Sequence, residues 1–127
     1  MRNYIKTTAG IILSATMATA SHADVTIGEL QGFTGPLESM IGAMSGGANL
    51  AVTEANASGN YLQGTINTVQ GDSMCIDAAV AIAQAEKMIN DDKVIAIMGP
   101  NCSGNTGAVI TNVLVPNGVV AISPSAT

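Results

Sequence analysis

The chain has 127 residues, a formal net charge of −5 and 2% aromatic residues, with two cysteines and one histidine. That length allows one small domain, and the acidic balance excludes a nucleic-acid surface, which needs basic clusters to neutralise phosphates.

Taken in order, Met1 to Ala23 reads as a cleavable secretory signal. Arg2 and Lys6 form its positive end, Ala9 to Ala20 is mostly apolar or small, and Ser21-His22-Ala23 gives a small-x-small site before Asp24. Ala18-Thr19-Ala20 is a second candidate site. The run is too short to span a bilayer, and no cysteine follows it as a lipid anchor. The expectation is an exported, periplasmic chain with no membrane insertion after cleavage. Removal of this segment takes Arg2, Lys6 and His22 with it, leaving Lys87 and Lys93 against nine acidic residues, a net charge of −7. Without histidine the remaining chain lacks the commonest general base and metal ligand. No metal spacing joins its carboxylates, and Asp91-Asp92 reads as a solvated helix end. No metal, no cofactor and no nucleic-acid partner are expected.

Val25 to Leu30 is a short strand, ending at the turn-rich Gln31–Pro36. From Leu37 the apolar residues recur at helical spacing, with Leu37, Ile41, Met44, Ala48, Ala51 and Ala55 on one stripe. Gly42, Gly46 and Gly47 weaken this helix; close approach to a sheet or ligand is their expected use, with plain tolerance as the alternative. Asn56 to Asn60 stops it. Thr65 to Gln70 is a second strand. After Gly71-Asp72-Ser73, a helix is predicted from about Cys75 to Asn90, capped by Asp72 or Ser73, with Asp77 in its first turn. Its apolar stripe is Ala78, Ala81, Ile82, Ala85 and Ile89. Val94–Met98 and Val119–Ser123 are further strands, separated by a helix of about Thr106 to Leu114 and the turn Pro116-Asn117-Gly118. The nearly unbroken apolar runs of these two strands predict burial on both faces.

The order β-α-β-α-β-α-β predicts an α/β fold, a parallel sheet with right-handed crossovers and helices on both faces. Ligands in such sheets sit beyond the carboxyl ends of the strands. The loops Gln31–Pro36, Asn101–Asn105 and Pro124–Thr127 lie there, rich in hydroxyl, amide and glycine residues. Gly99 to Thr106 reads G-x-x-x-x-G-N-T, one residue from the phosphate-loop pattern. Asn105 replaces the lysine that reaches the phosphates, which disfavours a nucleotide. A single carboxylate bound at the same strand–loop–helix corner, or a corner without any ligand, are the other readings.

Cys75 and Cys102 are an even pair in an exported chain, which favours a disulfide over free thiols. A catalytic thiol would need an activating base or cationic surroundings, and neither is evident.

The series "TIGEL…TGP", "GANLAVTEANASG", "GDSMCIDAAVAIAQAEKMIND", "IMGPNCSGNT" and "VVAISPSAT", behind a signal peptide, resembles the periplasmic leucine/isoleucine/valine-binding proteins. These are the type I solute receptors of ABC importers, and the resemblance covers Asp24 to Thr127. It implies the first part of lobe I of a two-lobed, hinge-closing receptor, a partial N-terminal lobe with the second lobe absent. It places Cys75 and Cys102 at the family's disulfide positions. It implies that Ser103 binds an α-carboxylate through hydroxyl and amide, that Ser125 offers its carbonyl to the α-ammonium, and that Thr127 offers hydroxyl and amide. Asn101 and Cys102 would line the same pocket. Two departures stand out: Met40 or Ile41 replaces an aromatic near the first helix, and the ammonium-binding carboxylate belongs to the second lobe. The implied function is non-enzymatic binding of an amino acid or similar small polar solute, with a membrane permease as partner. A ligand-sensing domain of a signalling receptor is the neighbouring alternative. An exported enzyme using Cys102 or Ser103 as nucleophile is the rival of a different class, and it needs a base within reach.

Overall fold

Strand and helix alternate because short apolar runs give way each time to a 3.6-residue period across a glycine- or hydroxyl-rich turn. In the computed structural model, which describes residues 23–60 and 64–127, four strands and three main helices follow one another. The predicted signal segment lies outside the described residues except for Ala23. The strands are β1 (Val25–Gln31), β2 (Ile66–Asp72), β3 (Ala96–Met98) and β4 (Val120–Ile122), all parallel in the order β2-β1-β3-β4. The helices are α1 (Glu38–Ala57), α2 (Ala78–Asn90) and α3 (Ser103–Val109). α3 runs into a π-helical turn, Ile110–Leu114, and a last short turn, α4 (Val115–Asn117). Pro116 has no N–H for the ladder, and Gly118 closes the segment in the left-handed conformation, φ 64°.

Alternation along β1 sends neighbouring side chains to opposite faces. Leu30 points to one face and, with Ile97, packs against Ala81, Ala85 and Met88 of α2 and against Val109, Val113 and Leu114. Burying each large apolar side chain there contributes about 1.5–3 kcal/mol before the entropy of ordering is counted. Gly28 and Gly71 let the Met88 thioether lie almost on the sheet, since a Cβ at either would come within 2.8 or 2.7 Å of it.

Glu29 and Gln31 point to the other face, towards α1. The Glu29 carboxylate is buried, but three donors satisfy it: Gln31 Nε2 (2.8 Å), Gln70 Nε2 (2.9 Å) and Ser45 Oγ (3.2 Å). Those donors replace the water that the carboxyl group loses on burial.

Three local expectations are corrected. α2 starts at Ala78, not Cys75, and its cap is Asp77, whose Oδ1 accepts from the Ala79 N–H at 2.8 Å. Met74 and Cys75 have φ of 54° and 68°, a left-handed bend that no helical turn can contain. On α1 the buried residues are Ile41 and Ser45, while Ala51 is exposed. Gly42, Gly46 and Gly47 approach nothing, because a Cβ at any of them would meet open space. Burial of β4 on both faces is also overturned: Val120 is 62% and Ile122 75% exposed. α1 covers the β1–β2 half of its face. No described element covers the β3–β4 half, where Ile27, Ala96, Met98, Val120 and Ile122 line an apolar groove.

Candidate functional site

The strand order determines where a ligand can enter. From β1 the chain crosses to β2 on one side and then to β3 on the other, so the crossovers diverge between β1 and β3. A crevice opens beyond the carboxyl ends of strands at such a reversal. The loops after β1, β3 and β4 meet there.

The loop after β3 supplies most of the site. Asn101 is buried, Cys102 is half-buried, and Ser103 is exposed at the start of α3. The first intrahelical bond is Thr106 N–H to the Cys102 carbonyl, 2.9 Å, so the amides of residues 103–105 precede the ladder. The Ser103 hydroxyl accepts from the Thr127 N–H at 3.1 Å, which brings the loops after β3 and β4 together at their tips. Ser125 Oγ donates to the Asn101 carbonyl at 2.6 Å, and Ser123 Oγ to the Pro100 carbonyl, also 2.6 Å. The structure thus gathers Asn101, Cys102, Ser103, Ser125 and Thr127 into one corner of the molecule.

Cys75 and Cys102 form a disulfide, with Cα atoms 5.5 Å apart. It joins the loop before α2 to the residue that precedes Ser103. The bond also removes the free thiol on which a Cys102 nucleophile depends.

Asn105 stands where a phosphate loop carries lysine. Its side chain is buried and donates to the Ser73 carbonyl at 2.8 Å, so it braces the corner from inside instead of facing a phosphate. Neither the inward turn of Asn105 nor the bond of Ser123 to Pro100 is legible in the sequence. The G-x-x-x-x-G-N-T match drew attention to the spacing and gave no sign that the amide turns inward.

Asp72 is the other missed residue. It is one of the two expected caps of α2, with Ser73, but its partners are Thr34, across the sheet end, and the nearby Met74. Oδ2 accepts from Thr34 Oγ1 at 2.5 Å, and Oδ1 accepts from the N–H groups of Met74 (2.9 Å) and Thr34 (3.3 Å). Partial burial works against its charge, but the hydrogen bonds from Thr34, Met74 and Phe33 outweigh it and hold the carboxyl below the ordinary value of 3.8. A depressed folded-state value means stability that is present above the unfolded value and is lost as pH falls through the folded one. Asp72→Asn is therefore expected to flatten the acid limb of stability below about pH 4. The effect stays below about 1 kcal/mol because the group is partly solvated. Urea midpoints at pH 6 and pH 3 check this; equal acid losses in both proteins would refute it.

Comparison with known proteins decides the family. A sequence profile described as "Periplasmic binding protein" matches residues 24–127. The chain belongs to the periplasmic binding protein family. It is 31% identical over 120 residues to the Leu/Ile/Val-binding protein BraC3 of Rhizobium johnstonii, covering 94% of this chain and 32% of that protein. It is 32% identical over 119 residues to an amino acid binding protein of Pseudomonas aeruginosa, covering 92% of this chain and 31% of the relative. Among solved structures it is similar to the branched-chain amino acid transporter substrate binding protein LivJ of Streptococcus pneumoniae, crystallised with isoleucine. There the TM-score is 0.75 at 35% identity, over 83% of this chain and 30% of the other. The chain thus spans about a third of the length of the curated relatives it matches. Among the described residues no helix is long and apolar enough to cross a membrane.

Proposed function

We propose that this chain forms part of an extracytoplasmic solute receptor that delivers an amino acid, or a similar small polar solute, to the membrane permease of an ABC importer. One observation carries the reading: Ser103 and Thr127, from loops on neighbouring strands, meet at 3.1 Å beyond the β1–β3 crevice. Hydroxyls and backbone amides gathered at such a point can hold a carboxylate without a cationic side chain. In this proposal Ser103 takes the carboxylate through its Oγ and N–H. The Ser125 carbonyl and the Thr127 hydroxyl face the ammonium end, the Thr127 amide faces the carboxylate, and Asn101 and Cys102 form the wall. A second lobe, outside residues 24–127, supplies the opposing carboxylate.

The receptor acts by binding and carries out no chemistry of its own. The rival enzyme reading loses its thiol to the disulfide. Membership of a periplasmic family supports a periplasmic location; in this proposal residues 1–23 are the cleaved leader, on the charge, apolar run and small-x-small site of that segment. Similarity to branched-chain amino acid receptors puts leucine, isoleucine and valine first among the solutes to test.

The test is calorimetry on the protein at its full encoded length, against branched-chain and polar amino acids, urea and short amides. Ser103→Ala removes one hydrogen bond to a charged group, which is worth about 1.5–3 kcal/mol. Its affinity for the preferred solute should fall roughly 10- to 100-fold. An unchanged affinity would remove Ser103 from the site.

A further inference from the structure

β1 and β3 are paired only as far as Glu29 opposite Met98. Beyond that register the ladder between β1 and β3 ends, with Gly99 still packed against the Leu30 carbonyl, and strand pairing no longer holds the loops that follow. Gln31 Nε2 reaches Met98 Sδ at the strand ends, 3.6 Å, and past them the Asn101 side chain ties the two loops. The Oδ1 of Asn101 accepts from the Gly32 N–H at 2.9 Å, across 69 residues of sequence. The backbone carbonyl of the same residue accepts from Ser125 Oγ at 2.6 Å. Asn101 therefore holds the loops after β1 and β4 to its own, and the residue two places on is Ser103.

The rest of the side chain argues against simple space filling. Asn101 is 3% exposed, and its Nδ2 is buried without a hydrogen-bond partner among the described residues. An apolar side chain of similar volume would fill the space without stranding a donor. What the carboxamide provides in exchange is the acceptor for Gly32. The neighbouring tie, Asp72 to Thr34, holds the outer part of the same loop, whereas the Asn101 bond holds its base.

We infer that Asn101 is a positioning residue that sets the separation of the β1 and β3 loops and so shapes the solute corner before ligand arrives. Its consequence for affinity rests on the receptor reading above; the clamp itself does not. Held in place, the loops lose less freedom when solute binds, which favours binding without any direct contact from Oδ1.

Asn101→Leu removes the acceptor while keeping the number and branching of the side-chain heavy atoms, and Asn101→Asp keeps an oxygen in its place. Both are made in the protein at its full encoded length, and exchange of the Gly32 amide with deuterated solvent is followed. In Asn101→Leu that amide should exchange at least about tenfold faster, whereas Asn101→Asp should stay within about threefold of wild type. Isoleucine affinity, read by calorimetry, should fall about tenfold in Asn101→Leu. Unchanged Gly32 protection in Asn101→Leu, or lost protection in Asn101→Asp, overturns the assignment. Should Asn101→Leu not fold, Asn101→Asp decides alone, since retained protection supports the acceptor role and lost protection refutes it. A wild-type protein that binds none of the tested solutes would sink the receptor reading, and Gly32 exchange would still judge the clamp.

Discussion

Gly99→Ala is expected to abolish stable folding, or to cost at least about 4 kcal/mol, more than most single substitutions. Gly99 follows β3 at the point where the chain turns away from β1. An added Cβ would lie 1.9 Å from the Leu30 carbonyl oxygen and 2.8 Å from its carbon. Those are backbone atoms of the central strand, so no rotamer change relieves the overlap. Gly99 also has φ of 120°, a region that side-chain-bearing residues rarely enter. The Gly99 N–H donates to the Ile122 carbonyl at 2.8 Å, so a shift large enough to clear Leu30 would also pull β3 from β4. Gly104→Ala is the control, because its Cβ would meet open space within a helix; it should be neutral or stabilise by up to about 1 kcal/mol. Urea denaturation of the three proteins tests the contrast. A Gly99→Ala protein within 1 kcal/mol of wild type would show that the strands do not pack this closely.

Replacing Cys75 and Cys102 together by serine is expected to destabilise the protein by about 3–4 kcal/mol. The bridge spans 27 residues, and in the chain-entropy model closure of such a loop restricts the unfolded chain by about that amount. A second consequence is local. Cys75 sits in the left-handed bend before α2, against the face of Gly32, where an added Cβ would come 3.0 Å from its sulfur. Cys102 directly precedes Ser103. Without the bridge, the bend at Met74–Cys75 and the start of α3 are no longer held together, so solute affinity should fall along with stability. Wild-type protein unfolded in the presence of dithiothreitol should match the double variant in its urea midpoint. A double variant with the wild-type midpoint would mean that the bridge contributes nothing.

Both effects arise where distant segments meet, and they mark the limit of what could be read in advance. The β/α alternation, the parallel sheet and the helices on both faces were legible because each depends on local periodicity and turn chemistry. The disulfide was legible from an even cysteine count in a chain with an export signal. The start of α2 was misread by three residues, since a left-handed bend at Met74–Cys75 leaves no mark in an apolar period. Whether the glycines of α1 serve close approach or are merely tolerated was not legible for a related reason: their number was visible, but what lies opposite them was not.

The candidate site divides along the same line. The loop residues Asn101, Cys102, Ser103, Ser125 and Thr127 could be named from sequence, because loops at the carboxyl ends of parallel strands are where ligands bind and because their motifs resemble those of known receptors. Their connections could not. That Asp72 holds Thr34, that Asn105 turns inward to Ser73, and that Asn101 reaches Gly32 are facts about pairs of residues 32 to 69 positions apart. What the sequence determined by itself is the set of elements, their order and the chemistry of the loops, all governed by interactions within a few residues. Only the tertiary structure decided which polar groups face one another, because a hydrogen bond depends on ångström-scale distances that the packing of the sheet and its helices sets.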